Sequence, residues 1–380
     1  MSHWGAAGSA RTEPYSAGHV FAVPPMLARP ALCRPNNRLV PPRVNGRTRA
    51  ERADARRPLD RPFTNAPGGS IRPVNSLVAA LDVGGTSMKA GLIDRSGRVQ
   101  AEIRRATGVE HGPRAVVDGI VGLAQELVDT AGAAAAGVGL CVPGTVDSAT
   151  GIARHAVNLG WTDVPFAALV SERTGLPAVL AHDVRTAVLA EARIGAGVGA
   201  GSMFFVAIGT GIAGGYARDG EVDDGAAGLA GEIGHLVVIP DGPPCQCGNR
   251  GCLEAVASAS RISTRYGALT GRTGVSAQRI AELVVAGEPA AGQIWAEAID
   301  ALADALAAAT VLIDPGTFVI GGGLSLAGPT LIDPLAKALA GRLTFRSAPP
   351  LRPSTLGDRA GMLGAALRAW DLVDSAAVVS

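Results

Sequence analysis

Cysteine is scarce and unevenly placed: there are five, and Cys245, Cys247 and Cys252 fall within eight residues. That crowding excludes an ordinary disulfide framework and argues for a metal held in a reducing compartment. An excess of charge of one sign is also missing, because 34 Lys and Arg face 33 Asp and Glu for a net of +1. No apolar core of suitable length follows a basic start, so no signal peptide is expected. The longest uncharged run, residues 194–217, spans 24 residues, but eight are glycine. It therefore reads as loop, strand, turn and strand rather than as a membrane span. What remains is an ordinary soluble composition, 47% hydrophobic and 18% charged over 380 residues. A cytoplasmic protein with a sizeable core is expected, with room for two domains at roughly 100 to 200 residues each.

The balanced net charge conceals two materials. Residues 1–76 hold twelve Arg, no Lys and four acids (Glu13, Glu51, Asp54, Asp60), a net of +8, and eleven of the 25 prolines. The other 304 residues carry 22 basic against 29 acidic side chains, a net of −7. The front has no sustained helical or strand periodicity and cannot bury enough apolar surface to offset its ordering entropy. Residues 1–76 are therefore expected to be a disordered Arg- and Pro-rich extension. The same composition superficially suits an organellar transit peptide or a nucleic-acid arm, although a chain rich throughout in Ala, Gly and Arg also explains it by coding bias. A natural start near Val74, with the first 73 residues an upstream artefact, stands beside these readings.

Residues 77–380 alternate strand and helix signals. Residues 77–82 form a short apolar run before a Gly-Gly turn, and residues 89–93 resume it before an Asp94-Arg95-Ser96-Gly97 hairpin. Val116, Ile120, Leu123 and Leu127 repeat at helical spacing, and Val138, Leu140 and Val142 alternate like a strand. A strand over 177–181 feeds a helix over 183–196. A long helix is expected over 289–313, stopped by Pro315 and Gly316, then a strand at 317–320 that ends in three glycines. Helices near 334–343 and 359–370 close the chain. There is one internal echo: Leu81-Asp82-Val83-Gly84-Gly85-Thr86 and Val206-Ala207-Ile208-Gly209-Thr210-Gly211 are each a strand and glycine turn followed by a strand and a polar hairpin. Duplicating such a unit about a cleft sets two glycine turns face to face, able to hold a polyphosphate from both sides.

Glycines at 84 and 85 let backbone N–H groups approach phosphate oxygens, Thr86 adds a hydroxyl, and Asp82 can hold Mg²⁺ through water. A tight hairpin with an acid at its start explains the same residues. Gly209, Thr210 and Gly211 share that ambiguity, so the pair of turns is more specific than either alone. Gly321, Gly322 and Gly323 suit backbone packed against a base or ribose, and equally plain strand-to-helix packing. The strongest local signal is Cys245-x-Cys247-x4-Cys252, ten residues after His235. Three thiolates and an imidazole would fill a tetrahedral Zn²⁺ site with no open position, so such a zinc is expected to be structural, and the second nitrogen of His235 can then meet a substrate; a set of free buried thiols is the plainer reading. Asp183 opens a helix, where it can cap the N-terminus, accept a hydroxyl proton, or both. Glu232 and Glu254 flank the metal loop, and two carboxylates with an imidazole suit adjacent sugar hydroxyls, although either acid alone also reads as a solvated surface residue.

Asp82-Val83-Gly84-Gly85-Thr86, Asp183, Gly231-Glu232-Ile233-Gly234-His235 and Cys245-Gln246-Cys247-Gly248-Asn249-Arg250-Gly251-Cys252-Leu253-Glu254 together resemble the ROK family of bacterial sugar kinases and repressors, in order and spacing, over essentially all of 77–370. The resemblance implies an α/β, actin-like (ribonuclease H-like) two-domain ATPase fold with ATP and sugar meeting in a cleft. Residues 77–186 would be the N-terminal domain, with a helix at about 359–372 packing back on it, and 187–358 the larger domain with the zinc loop. It implies Asp183 as the base, and Gly144, Asn158, His182, Glu232, His235 and Glu254 around the sugar. Asp82, Gly84, Gly85, Thr86, Lys89, Gly209, Thr210 and Gly211 would serve Mg²⁺ and the phosphates, and Gly321, Gly322 and Gly323 the adenosine. His235, Cys245, Cys247 and Cys252 would hold structural Zn²⁺.

Family kinases usually carry Asn where His182 stands and a small or amide residue where Arg185 stands. Arg185 either helps hold phosphate or pairs with an acid. The implied activity is ATP-dependent phosphorylation of a hexose, glucose at its 6-hydroxyl first, with N-acetylmannosamine, mannose, fructose or allose as alternative acceptors. The reading from another class is a sugar-responsive transcriptional regulator; eleven prolines leave no recognition helix in 1–76, so nucleic acid is not an expected partner. A kinase relic that only binds sugar is the third. A homo-oligomer, dimer or tetramer, is expected, with no membrane partner.

Overall fold

The structure, a computed structural model, describes residues 76–379, so the extension expected over 1–76 lies almost wholly outside the described residues. Strands β1 (Leu77–Val83), β2 (Ser87–Asp94) and β3 (Val99–Ala106) form an antiparallel meander. Asp94 closes the second turn by accepting the Ser96 and Arg98 N–H groups at 2.8 and 3.0 Å. Helix α1 (Pro113–Ala131) starts on a proline, where no helical N–H is missed. It buries the stripe Val116, Ile120, Leu123 and Leu127 and returns the chain so that β4 (Ala135–Val142) pairs parallel with β1. A small antiparallel sheet of β5 (Thr145–Asp147), β6 (Ile152–Ala156) and β7 (Trp161–Val164) follows. After α2 (Phe166–Thr174), β8 (Ala178–His182) adds parallel to β4, giving the order β3-β2-β1-β4-β8.

Helix α3 (Asp183–Ile194) carries the chain to a second sheet. Here β9 (Ser202–Ile208), β10 (Ile212–Arg218) and β11 (Glu221–Asp223) again form an antiparallel meander. Helices α4 (Leu253–Ala257), α5 (Ala259–Thr270), α6 (Ala277–Val285) and α7 (Pro289–Ile313) precede β12 (Thr317–Gly321), which pairs parallel with β9. Helix α8 (Pro329–Arg342) leads to β13 (Leu351–Pro353), parallel to β12. The order β11-β10-β9-β12-β13 repeats that of the first sheet, the duplication that the two glycine turns imply. Helix α9 (Ala360–Val379) then returns and packs on β1, β4 and α3. Two repeated mixed sheets with helices against them make the actin-like, ribonuclease H-like fold.

Burial explains why these strands read as continuous apolar runs. Ala79, Leu81 and Val83 of β1 join the core that holds α1, while Val78 and Ala80 join the core that holds α9. A strand covered on both faces needs apolar side chains at every position. Gly139 of β4 lets α9 come close, because a Cβ there would lie 2.0 Å from the Ala365 carbonyl oxygen.

Two helix expectations need correction. The helix expected to begin near Pro334 begins at Pro329, with Pro334 inside it. The missing proline N–H deprives the Thr330 carbonyl of its helical donor, and Trp295 Nε1 of α7 donates to it instead at 3.0 Å. The last helix runs to Val379, well beyond Trp370. Among the described residues no helix is long and apolar enough to cross a membrane.

Candidate active site

Asp82 near the end of β1 and Asp183 at the start of α3 line one cavity of about 200 Å³, together with Lys89, Phe205, Ala207, Gly322 and Asp358. The first sheet, the second sheet and the crossing into α9 all contribute walls. Burial pushes the Asp82 carboxyl up to about 6; Lys89 opposes this and the Asp183 charge adds to it. The Cys141 thiol, from β4, donates to Asp82 Oδ1 at 3.4 Å. Burial likewise pushes Asp183 up to about 6. The N-cap of α3 is His182 rather than Asp183, and its side chain makes no capping bond. Asp183 is the first helical residue, and its Oδ1 accepts the Val184 N–H at 2.7 Å.

The His182 ring is pushed down to about 4, first by burial and then by Arg185, against the opposite pull of Glu232 and Asp224. It is therefore neutral near pH 7. Its Nδ1 lies 3.3 Å from Asp183 Oδ1, but the approach lacks hydrogen-bond geometry, and this buried nitrogen has no partner. Arg185 Nε stands 3.3 Å from Asp224 Oδ1, an ion-pair distance, although neither buried atom has a hydrogen-bond partner. Because Glu232 acts on the His182 ring, the acid of the metal loop and the start of α3 share one electrostatic neighbourhood.

The glycine turns are tighter than expected. The Gly84 N–H donates to the Ser87 carbonyl at 3.0 Å and the Gly209 N–H to the Gly211 carbonyl at 2.9 Å. Both groups hold their turns. Thr86 is exposed beside the first turn. A Cβ on Gly85 would first meet Asn158 Nδ2, at 3.7 Å, so Asn158 sits over that turn. A Cβ on Gly211 would lie 2.4 Å from Glu254 Oε2, and the same oxygen accepts the Ile212 N–H at 2.8 Å. Glu254 thus leans on the second turn, with Thr210 between the two glycines. Gly321 and Gly322 are explained by packing, since a Cβ would strike the Phe205 ring at 2.6 Å or the Ile208 carbonyl oxygen at 2.5 Å. Gly323 faces open space. Gly144 is held against the His155 carbonyl, and it does not line the cavity of Asp82 and Asp183.

His235, Cys245, Cys247 and Cys252 bring one donor atom each within 4.8 Å of one another. Cys247 and Cys252 have their sulfurs 3.7 Å apart, and His235 Nδ1 lies 3.9 Å from Cys245 Sγ. A tetrahedral ion with Zn–S bonds of about 2.3 Å places neighbouring sulfurs about 3.8 Å apart. Donor set and spacing therefore fit Zn²⁺, with the other nitrogen of His235 left to face outward. Sequence reading missed Asp358, which accepts from Lys89 Nζ through its carbonyl at 2.7 Å and pairs with Lys89 at 3.5 Å. It reaches the cavity from a crossing 269 residues away and carries no local motif.

The profile of the ROK family matches residues 78–371. A glucokinase of Thermotoga maritima is 35% identical over 302 residues, 75% of this chain and 95% of that protein. Among solved structures, a ROK hexokinase from Thermus thermophilus superposes with a TM-score of 0.71 at 36% identity, covering 79% of this chain and 99% of the other. A ROK family glucokinase from Streptomyces griseus in complex with glucose and AMPPNP gives 0.68 at 30% identity, over 78% and 100%. With the repeated sheets, the shared cavity and this coverage, the chain belongs to the ROK family.

Proposed function

We propose that this sugar kinase transfers the terminal phosphoryl group of ATP to the 6-hydroxyl of a hexose, glucose before other acceptors. The observation that carries the reading is the single cavity in which Asp183, Asp82 and Lys89 meet Phe205 and Ala207 of the second sheet. The hydroxyl oxygen attacks phosphorus as its proton passes to Asp183, the new O–P bond forms, and the bridging bond to ADP breaks. A carboxylate with a pKa near 6 is ionised at neutral pH and still basic enough for that proton. Phosphoryl transfer asks mainly for positioning and charge stabilisation. Lys89 contributes a cation at the cavity wall. Mg²⁺ arriving with the nucleotide would be held from the Asp82 side and would neutralise phosphate charge.

The glycine turns, with Thr86 and Thr210, flank the phosphates. Asn158, His182, Glu232, His235 and Glu254 receive the sugar hydroxyls, and Gly144 shapes the rim. His182 is neutral and has a buried, unpaired nitrogen, which suits it to one hydroxyl near the transferred group. Zn²⁺ held by Cys245, Cys247, Cys252 and His235 would fix the His235 ring. An ADP-release assay across glucose, mannose, fructose, allose and N-acetylmannosamine tests the reading; turnover highest on an acceptor other than glucose overturns the glucose assignment. Asp183→Asn keeps the shape and should lower kcat by about 10²–10⁴-fold with sugar binding largely intact by calorimetry. Retained turnover removes Asp183 as the base.

A further inference from the structure

Two crossings join the sheets among the described residues: α3 with its exit turn into β9, and residues 354–359 between β13 and α9. One side chain holds both. Glu191, in the last turn of α3, is fully buried. Its Oε2 accepts the Ala196 N–H at 2.7 Å on the first crossing. Its Oε1 accepts the Ser354 hydroxyl at 2.5 Å and the Thr355 and Leu356 N–H groups at 3.1 and 3.0 Å on the second. Arg352 adds a direct tie, donating to the Ala196 carbonyl at 2.8 Å. All the groups around the carboxylate are donors, so an acceptor-only side chain suits the place and an amide would turn its own N–H groups toward them. Gly195 completes the seat: its φ of −117° is ordinary, yet a Cβ there would lie 2.2 Å from Glu191 Oε2.

We propose that Glu191 is the pin of the hinge between the two sheets, a positioning residue that fixes Asp183 on one crossing against the cavity wall supplied by the other. Ser354, Gly357 and Asp358 of the second crossing line the cavity that Asp183 enters from the first. Releasing the pin lets the two crossings move independently, which misplaces the reacting groups without touching them. The catalytic consequence rests on the kinase reading; the hinge itself does not.

The test compares Glu191→Gln and Gly195→Ala in the full chain with the wild type, reading kcat and KM by ADP release and backbone amide exchange by mass spectrometry. The expected result is kcat lower by about 10-fold to 100-fold with sugar KM near its wild-type value. Exchange should be faster at 196 and 354–357, while β1 and β12 exchange at the wild-type rate. Folded variants whose kcat and exchange at 354–357 both match the wild type overturn the proposal, as does faster exchange spread evenly over both sheets. Should Glu191→Gln fail to fold, Gly195→Ala, which keeps the carboxylate but displaces it, decides by the same readouts. If the wild type phosphorylates no sugar, the kinase reading fails and the exchange pattern alone decides the hinge.

Discussion

A carboxyl whose pKa in the folded chain stands above its ordinary 3.8 binds its proton more tightly folded than unfolded, and Asp183, pushed up to about 6 by burial, is such a group. The stability linked to that proton is fully present below about pH 4 and is lost as pH rises through about 6. At pH 7 to 8 the folded chain therefore carries Asp183 ionised at a cost. Asp183→Asn should stabilise the protein there by about 1–2 kcal/mol, a figure reduced from the full linkage value because solvent at the open part of the side chain, 34% exposed, screens the charge. The gain should vanish below about pH 4, where both states are protonated. Urea unfolding of both proteins at pH 4 and pH 7.5 checks it; an Asn variant less stable at pH 7.5 contradicts it. The same titration has a kinetic side: kcat/KM should fall at least about tenfold per unit as pH drops below about 6, because Asp183, and Asp82 beside it, are then protonated.

At the level of elements, a local pattern foretells a helix only where local rules decide it. The 25-residue α7 was legible from end to end, since apolar spacing marks its face and Pro315 with Gly316 its stop. The start of α8 was not, because Pro334 reads as a first residue, whereas the Thr330 carbonyl that it leaves without a helical donor takes one from Trp295 of α7, 35 residues away from Thr330 in sequence. That donor makes a prediction. Trp295→Phe removes the donor to the half-buried Thr330 carbonyl and should destabilise the protein by about 1 kcal/mol. Pro334→Ala restores a helical N–H to that carbonyl, so it should recover about 1 kcal/mol in the Trp295→Phe background beyond its effect in the wild type. A double-mutant cycle in urea measures this, and strictly additive effects would show that the indole contributes only its packing.

Across the whole molecule, the legible features were those written in contiguous residues. The strand-turn-strand echo implied two like sheets, and a Cys-Cys-Cys run with a nearby His implied one metal cluster. Asp358 and Glu191 were illegible because Lys89 and Ser354, which they bond, lie more than 150 residues away in sequence. The cap at Asp183 was misread by one position for a different reason, since strand and helix meet there with no intervening turn. This division of the molecule bears on zinc. The metal loop and the turn before it are tied to β10 of the second sheet, where the Gly214 N–H donates to the Gly231 carbonyl at 2.9 Å and the Ile212 N–H to Glu254, whereas no residue of 235–254 lines the cavity of Asp82, Lys89 and Asp183. Stripping the metal with a chelator should raise the sugar KM more than the ATP KM, because the proposed site assigns His235 to the sugar, and should lower the melting temperature. One zinc per chain should be found by elemental analysis before treatment, and readdition should reverse both changes. Equal rises in the two constants would mean that the loop braces the nucleotide side as well, and the assignment of His235 to the sugar alone would fail.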